Sequence, residues 1–349
     1  MNCIVGWDVG GVNIKAACVV WNRRQVRQEH VNSVPFEIWR EKNRLPAVLQ
    51  DVYSAIIPDL PPRAMAVTMT AELSDVFPTK REGVLYVLEC VKNCFPDIAA
   101  YVLNVSGEFV IMDKAQECPL DFAASNWRAS AQWISRKFPN CLLVDIGSTT
   151  TDILPVLDGK VIVSGSTDMD RLSSGELVFT GSLRTNLAAL AQSVPVAGRI
   201  CRVASEYFAV SGDVHLILGH LKPREYTCST PDGQPPSIGA ARRRLARLVC
   251  ADTEMLSTAE IDELARFLYK QQVLQISEGM TQVISRQPRL LNYPVIVFGV
   301  GAFLGEAAAE KLGLEVQKLS TGRGDETSAA VPCLAAAHLL SEYLKAVSE

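Results

Sequence analysis

Two apolar segments of this chain each end in an aspartate and a glycine turn, and that near repeat constrains the fold more than any other feature. The first runs Cys3-Ile4-Val5-Gly6-Trp7 into Asp8-Val9-Gly10-Gly11 and resumes as an apolar stretch over residues 14–21. The second runs Cys141-Leu142-Leu143-Val144 into Asp145-Ile146-Gly147-Ser148-Thr149-Thr150-Thr151-Asp152 and resumes at Ile153-Leu154-Pro155-Val156. Each reads as strand, tight turn, strand. A third apolar strand, Val295-Ile296-Val297-Phe298, runs into Gly299-Val300-Gly301. Glycines let backbone N–H groups approach a phosphate closely, serine and threonine hydroxyls donate to its oxygens, and a strand-end aspartate holds Mg²⁺ or its water shell. Lys15 adds a point charge suited to a diphosphate. One such turn is as readily a plain hairpin as a site. Three in this order predict a divided phosphate site, with two related halves facing one cleft.

At 349 residues the chain exceeds what one hydrophobic core usually fills, about 250–300 residues. Two domains are expected, 1–139 and 140–349, the second carrying a mostly helical insertion at about 184–285. A net charge of −4 and a pI near 5.7 argue against a nucleic-acid partner, which requires a basic face. No apolar run reaches the roughly 18 residues that span a bilayer, and the start lacks the charged and apolar regions of a signal peptide. The expectation is a cytoplasmic protein with no membrane partner. Its cysteines then stay reduced, and Cys3, Cys18, Cys141 and Cys333, in apolar segments, read as core. The oligomeric state is open, a homodimer included.

Apolar spacing predicts helices over residues 44–58, 83–93 and 123–138, strands over 65–69 and 101–105, and a last helix over 328–347. This βα alternation predicts a layered α/β fold. Cys90 and Cys94 share a helix face but lack the further ligands of a zinc site, so packing is the expectation. His215 and His220 fit no ligand spacing and read as structural. The run Arg242-Arg243-Arg244 is expected to be a solvated helix face.

The segments Asp8-Val9-Gly10-Gly11-Val12-Asn13-Ile14-Lys15, residues 145–152 and Phe298-Gly299-Val300-Gly301 resemble the phosphate-1, phosphate-2 and adenosine motifs of the acetate kinase, sugar kinase, heat-shock chaperone and actin superfamily. The resemblance implies an α/β, two-domain, ribonuclease H-like (actin-like ATPase) fold with duplicated βββαβα-type cores and a ligand cleft between them. Residues 175–185 resemble its hydantoinase/oxoprolinase branch. Residues 67–77 with 79–83, Ala124-Ser125-Asn126-Trp127 and Glu206-Tyr207-Phe208-Ala209 resemble the group linked to tetrahydromethanopterin-dependent C1 transfer. That likeness covers nearly the whole chain. Members of the group join an aminomethylfuran-methyl diphosphate to the phenol of tyramine or γ-glutamyltyramine, releasing pyrophosphate, in methanofuran-type cofactor biosynthesis.

The resemblance also implies roles. Gly10, Gly11, Asn13, Gly147, Ser148, Thr149 and Thr150, with Gly299 and Gly301, would hold the diphosphate; Lys15 and Lys80 would neutralise charge; Asp8 and Asp145 would hold Mg²⁺. A furfuryl diphosphate leaves readily because the furan stabilises positive charge on its CH₂, so the main tasks are to neutralise pyrophosphate and align a phenol. A phenol attacks best as phenolate, and Asp152, Glu72 and Asp75 are the candidate bases. Thr70, Glu72, Asp75, Asn126 and Arg184 are the candidate substrate contacts. Plainer readings stand beside these: Glu72 and Asp75 as acids at a helix start, Arg184 as a structural ion pair, Asp325 as a cap of the last helix. The alternative function is an ATP-dependent small-molecule kinase or hydantoinase/oxoprolinase-type amidohydrolase, in which the Gly299-x-Gly301 turn holds adenosine. A synthase using a preformed diphosphate needs no ATP.

Overall fold

A computed structural model describes residues 2–22, 25–57, 60–319 and 330–347. It divides into two compact units, one of Met1–Asn140, Val156–Asp170 and Ser320–Glu349, the other of Cys141–Pro155 and Arg171–Leu319.

In the first unit, strands β1 (Asn2–Val9), β2 (Asn13–Asn22), β3 (Gln25–Pro35), β4 (Ala64–Met69), β5 (Ala100–Leu103) and β6 (Phe109–Ile111) form a sheet in the order β3-β2-β1-β4-β5-β6. β1, β2 and β3 pair antiparallel, whereas β4 and β5 continue the sheet parallel to β1. A second sheet draws on β7 (Cys141–Ile146), β8 (Thr151–Leu157), β9 (Lys160–Val161) and β10 (Leu177–Val178). After a separate hairpin, β11 (Ser193–Val196) with β12 (Arg199–Arg202), it is completed by β13 (Val295–Phe298) and β14 (Val316–Lys318). Its order is β10-β8-β7-β13-β14, with β9 on β8. The strands added after β7 run parallel to it. Both sheets thus share one arrangement, an antiparallel set extended by parallel strands on the far side of the first strand, which is the duplicated ribonuclease H-like fold.

β1 is buried from Cys3 onward, as a central strand covered on both faces must be. One face packs on the helices Leu45–Ile56 and Lys80–Cys94, the other on the alanine-rich helix Val331–Ala346. That last helix, expected within 140–349, joins the first unit because small side chains let it approach β1 closely. A Cβ on Gly6 would lie 2.0 Å from the Cys333 carbonyl oxygen. The helix expected over 123–138 is shorter, Asn126–Ile134, because Ala124 takes a left-handed φ of 50° that no α-helix accommodates.

The expected solvated face at Arg242–Arg244 is corrected. Arg244 is fully buried, with Nη2 2.6 Å from Asp213 and Nη1 2.9 Å from Asp232, and Arg242 makes a two-pronged bond to Asp262. The partners lie on other segments, so the arginine spacing could not show them. No described helix is long and apolar enough to cross a membrane.

Candidate functional site

The β1–β2 turn is closed by the Gly10 N–H donating to the Asn13 carbonyl at 3.0 Å. The Gly11 and Val12 carbonyls are tied back by the Ile38 and Phe36 amides, at 3.1 and 2.9 Å. With its carbonyls committed to the protein, the turn is built to donate, which is what an anion needs. A Cβ on Gly10 would meet the Asn13 carbonyl at 2.8 Å, so glycine is required there by the turn itself. The segment after β4 presses on the same turn: the Thr70 hydroxyl faces Gly10, and the Ser74 hydroxyl would meet a Cβ on Gly11 at 2.9 Å. At the strand end Asp8 is buried, and Lys15, opposite it across the β1–β2 pair, places Nζ 3.6 Å from its Oδ2.

The β7–β8 turn repeats this construction. Gly147 N–H donates to the Thr150 carbonyl at 2.9 Å. The Gly147 carbonyl accepts from the amide and hydroxyl of Ser182 at 3.0 and 3.1 Å, and the Ser148 carbonyl from the amides of Leu183 and Arg184, both at 3.0 Å. Arg184 is therefore fixed beside the turn by its own backbone, and the Ser148 and Thr149 hydroxyls lie 3.5 Å apart on the turn. Asp145 ends β7 next to the Gly299 turn, where φ is +89° and a Cβ would fall 2.5 Å from the Asp145 carboxylate. The Gly301 N–H donates to the Ile146 carbonyl at 2.9 Å. Packing alone thus demands both glycines of this turn, whatever it binds.

Asp152 is committed to the buried Arg171 guanidinium, which holds it as an ion pair and makes it a poor choice for a base. His215 and His220, read as unrelated structural residues, belong to one network behind the second turn. Gln272 donates from Nε2 to the Thr180 hydroxyl (2.9 Å) and to the Gly181 carbonyl (2.8 Å), so its Oε1 must accept from His215 Nε2–H at 3.0 Å. Burial pushes the His215 pKa down to about 3, so the ring is neutral and its Nδ1 accepts from His220 Nδ1–H at 3.3 Å. The network braces Gly181, whose backbone is pressed against Ser148 and Thr149.

Glu72 sits on the one-turn 3-10 segment Ala71–Leu73 that follows β4. It is 1% exposed, and neither carboxylate oxygen has a partner at hydrogen-bonding geometry among the described residues. Burial pushes its pKa up to about 7, against weaker pulls from its own amide, Lys80 and the Ala124 amide, while Asp168 adds to the rise. Lys80 itself bonds Asp168 at 2.9 Å. Asp75 is exposed, and the Asn126 side chain accepts from the Trp127 amide in the first turn of its helix. Thr79, with Glu82, caps the helix Lys80–Cys94. Asp325 lies outside the described residues. Sequence reasoning missed Asp168, Ser74, Ser182 and Gln272. Only Ser74 and Ser182 carried a signal, each lying inside a segment that resembles the family.

Asp8, Asp145, Ser148 and Thr149 offer the hard oxygen donors that Mg²⁺ prefers. Among the described residues no group of three or more His, Cys, Asp or Glu could hold a metal. A magnesium ion held by either aspartate would complete its shell with water and substrate phosphate.

Among solved structures, the ethanolamine utilization protein EutJ from Carboxydothermus hydrogenoformans is similar at 13% identity and TM-score 0.49, over 97% of this chain and 90% of that one. A glucokinase from Streptomyces griseus, solved with glucose and AMPPNP, is similar at 11% identity and TM-score 0.47, over 97% of this chain and 99% of that one. In sequence, the chain is 34% identical to the (4-{4-[2-(gamma-L-glutamylamino)ethyl]phenoxymethyl}furan-2-yl)methanamine synthase of Methanocaldococcus jannaschii, over 98% of both chains. It is also 34% identical to the Methanococcus vannielii synthase of the same name, over 62% of this chain and 98% of that one. The profile of the hydantoinase/oxoprolinase family matches residues 63–343. The chain belongs to the hydantoinase/oxoprolinase family.

Proposed function

We propose that this chain is a transferase that joins the phenol of tyramine or γ-glutamyltyramine to an aminomethylfuran-methyl diphosphate, releasing pyrophosphate, in methanofuran-type cofactor biosynthesis. The observation that carries this is the 34% identity, over 98% of both chains, to a synthase whose product name contains a phenoxymethylfuran. Such a product has a new bond between the phenolic oxygen and a furfuryl CH₂. The residues suit that chemistry. Two donor turns, Gly10–Asn13 in sequence and Gly147–Thr150, are suited to diphosphate oxygens, and Lys15 and Arg184 to its charge. Mg²⁺ at Asp8 and Asp145 would supply further neutralisation of pyrophosphate. The furan already stabilises the electron-poor carbon, so the protein's task is to bind, align and keep water away from it. We read the reaction as cytosolic, the compartment in which a chain of this length with ten cysteines keeps its thiols reduced.

The test is direct. Purified protein, Mg²⁺, the aminomethylfuran-methyl diphosphate and tyramine or γ-glutamyltyramine are incubated with and without ATP, and ether product and pyrophosphate are measured by mass spectrometry and a coupled assay. Equal amounts of both products without ATP are expected. Product formed only when ATP is consumed would transfer the assignment to an ATP-dependent kinase or amidohydrolase.

A further inference from the structure

Resting on that proposed function, we infer that Glu72 is the base that takes the phenolic proton. The three carboxylates available for this task differ in what surrounds them. Asp152 is held by the buried Arg171 guanidinium, and Asp75 is exposed, where water competes for its oxygens. Glu72 alone of the three is enclosed, with no side-chain partner at hydrogen-bonding geometry among the described residues, only its own amide and that of Ala124 bearing on the carboxylate. A buried carboxylate without a contacting cation costs stability. Its surroundings are shaped around it. Gly83, at the start of the helix Lys80–Cys94, lies so close that a Cβ there would fall 2.6 Å from the Glu72 Cα. Thr70 and Ser74, on either side of it in the chain, lie against Gly10 and Gly11 of the first donor turn.

The cover over Glu72 has the features of one that opens. Its carboxylate feels the amide of Ala124, a non-glycine residue held at φ 50°, and such strain is stored where a segment is positioned for use. The next residue, Ser125, buries a hydroxyl without a partner among the described residues. Leu73, beside Glu72 on the same single turn, is 51% exposed, so the turn that carries the carboxylate lies at the surface. A phenol entering here displaces that cover and meets a carboxylate that water does not solvate. The charged groups that bear on it are Lys80 and Asp168, themselves paired. The phenolic O–H bond breaks and its proton passes to the Glu72 carboxylate. The electron pair left on the phenolic oxygen forms the new O–CH₂ bond as the CH₂–O bond to diphosphate breaks, and pyrophosphate leaves with the electron pair of the broken bond. Glu72 then releases its proton to water.

The experiment compares wild type, Glu72→Gln and Glu72→Asp in the ether-forming assay over pH 5.5–9.5, with tyramine and with ring-fluorinated tyramines whose phenols are more acidic. For Glu72→Gln, kcat/KM for tyramine falls by about 10²–10⁴-fold, the usual contribution of a general base, and the acid limb of the wild-type profile disappears. The loss shrinks as the phenol becomes more acidic, and Glu72→Asp restores part of the rate and the acid limb. A Glu72→Gln protein with the wild-type profile, or one equally impaired with every phenol, overturns the inference while leaving the proposed function standing. Loss of cooperative unfolding in Glu72→Gln, with Glu72→Asp no better, assigns the residue to structure and also overturns it. A wild type that forms no ether defeats the proposed function itself.

Discussion

Replacing Glu72 by glutamine removes a buried titration from the first unit, and its effect on stability can be worked out. The pKa rises from 4.5 to about 7 on folding, chiefly by desolvation. Because the folded state holds this proton more tightly, it gains relative stability at low pH and loses it as pH climbs through the folded value. The penalty is absent below about pH 4.5, grows between 4.5 and 7, and is complete above 7. At about 1.4 kcal/mol per pH unit, this interval is worth about 3 kcal/mol. With a urea slope of about 3 kcal/mol per molar, the wild-type midpoint should drop by about 1 M relative to the variant between pH 4.5 and 8. All five tryptophans, Trp7, Trp21, Trp39, Trp127 and Trp133, lie in Met1–Asn140. Intrinsic fluorescence therefore follows the unit that holds Glu72, and subtracting the variant cancels the other carboxylates. A wild-type minus variant difference that stays flat over pH 4.5–8, or changes the other way, would refute the reasoning, because it would mean that the carboxylate is paired or solvated.

Three further perturbations test separate parts of the construction. A Cβ on Gly147 meets only the Thr150 carbonyl, at 3.6 Å, so Gly147→Ala should unfold like wild type yet raise KM for the diphosphate about tenfold or more, because the added methyl holds a phosphate off the amides of this turn and weakens about one charge-assisted bond; an unchanged KM would remove this turn from the site. Arg244→Met should cost about 3–5 kcal/mol by stranding Asp213, and Asp213→Leu added to it should recover most of that loss, read from chemical denaturation of the double-mutant cycle. Gly6→Ala forces Val331–Ala346 away from β1, so stability should drop by about 1–3 kcal/mol and the buried Cys333 thiol should become reactive to alkylation, as mass spectrometry can follow.

The elements that could be read from the sequence were those whose cause is local. The strands before Asp8 and Asp145 are short apolar runs stopped by glycine, and the helix Leu45–Ile56 shows its buried stripe directly in Leu45, Val48, Leu49, Val52 and Ile56. β3 escaped because it is a polar, largely exposed edge strand whose partner supplies the order. The β11–β12 hairpin escaped because its turn, Ala197-Gly198, uses a left-handed alanine rather than the usual asparagine or aspartate. At the site, the glycine turns were legible because backbone geometry limits the residue type. What holds them was not. Ser182 and Gln272 act on Gly147 and Gly181 across long sequence separations, and Arg244 looked solvated until Asp213 and Asp232 were placed beside it.

The duplication also explains where a new carboxylate could arise. In the second sheet Asp145 is paired with Phe298, and the chain beyond passes Gly299 and Gly301 straight into the helix Ala302–Lys311. In the first sheet Asp8 is paired with Thr68, the equivalent register, but the helix starts only at Lys80. Eleven residues, 69–79, therefore separate that register from the helix here, where three, 299–301, suffice in the other half, an excess of eight. A connection of this kind is free of the sheet's packing constraints, and loops placed by a rigid scaffold are where chemistry tends to be added. Here the added stretch puts Thr70 and Ser74 on the donor turn and buries Glu72 behind it. One half of the fold thus retains a plain strand–glycine–helix junction, while the other uses the same junction to carry an ionisable group whose burial the fold itself does not need.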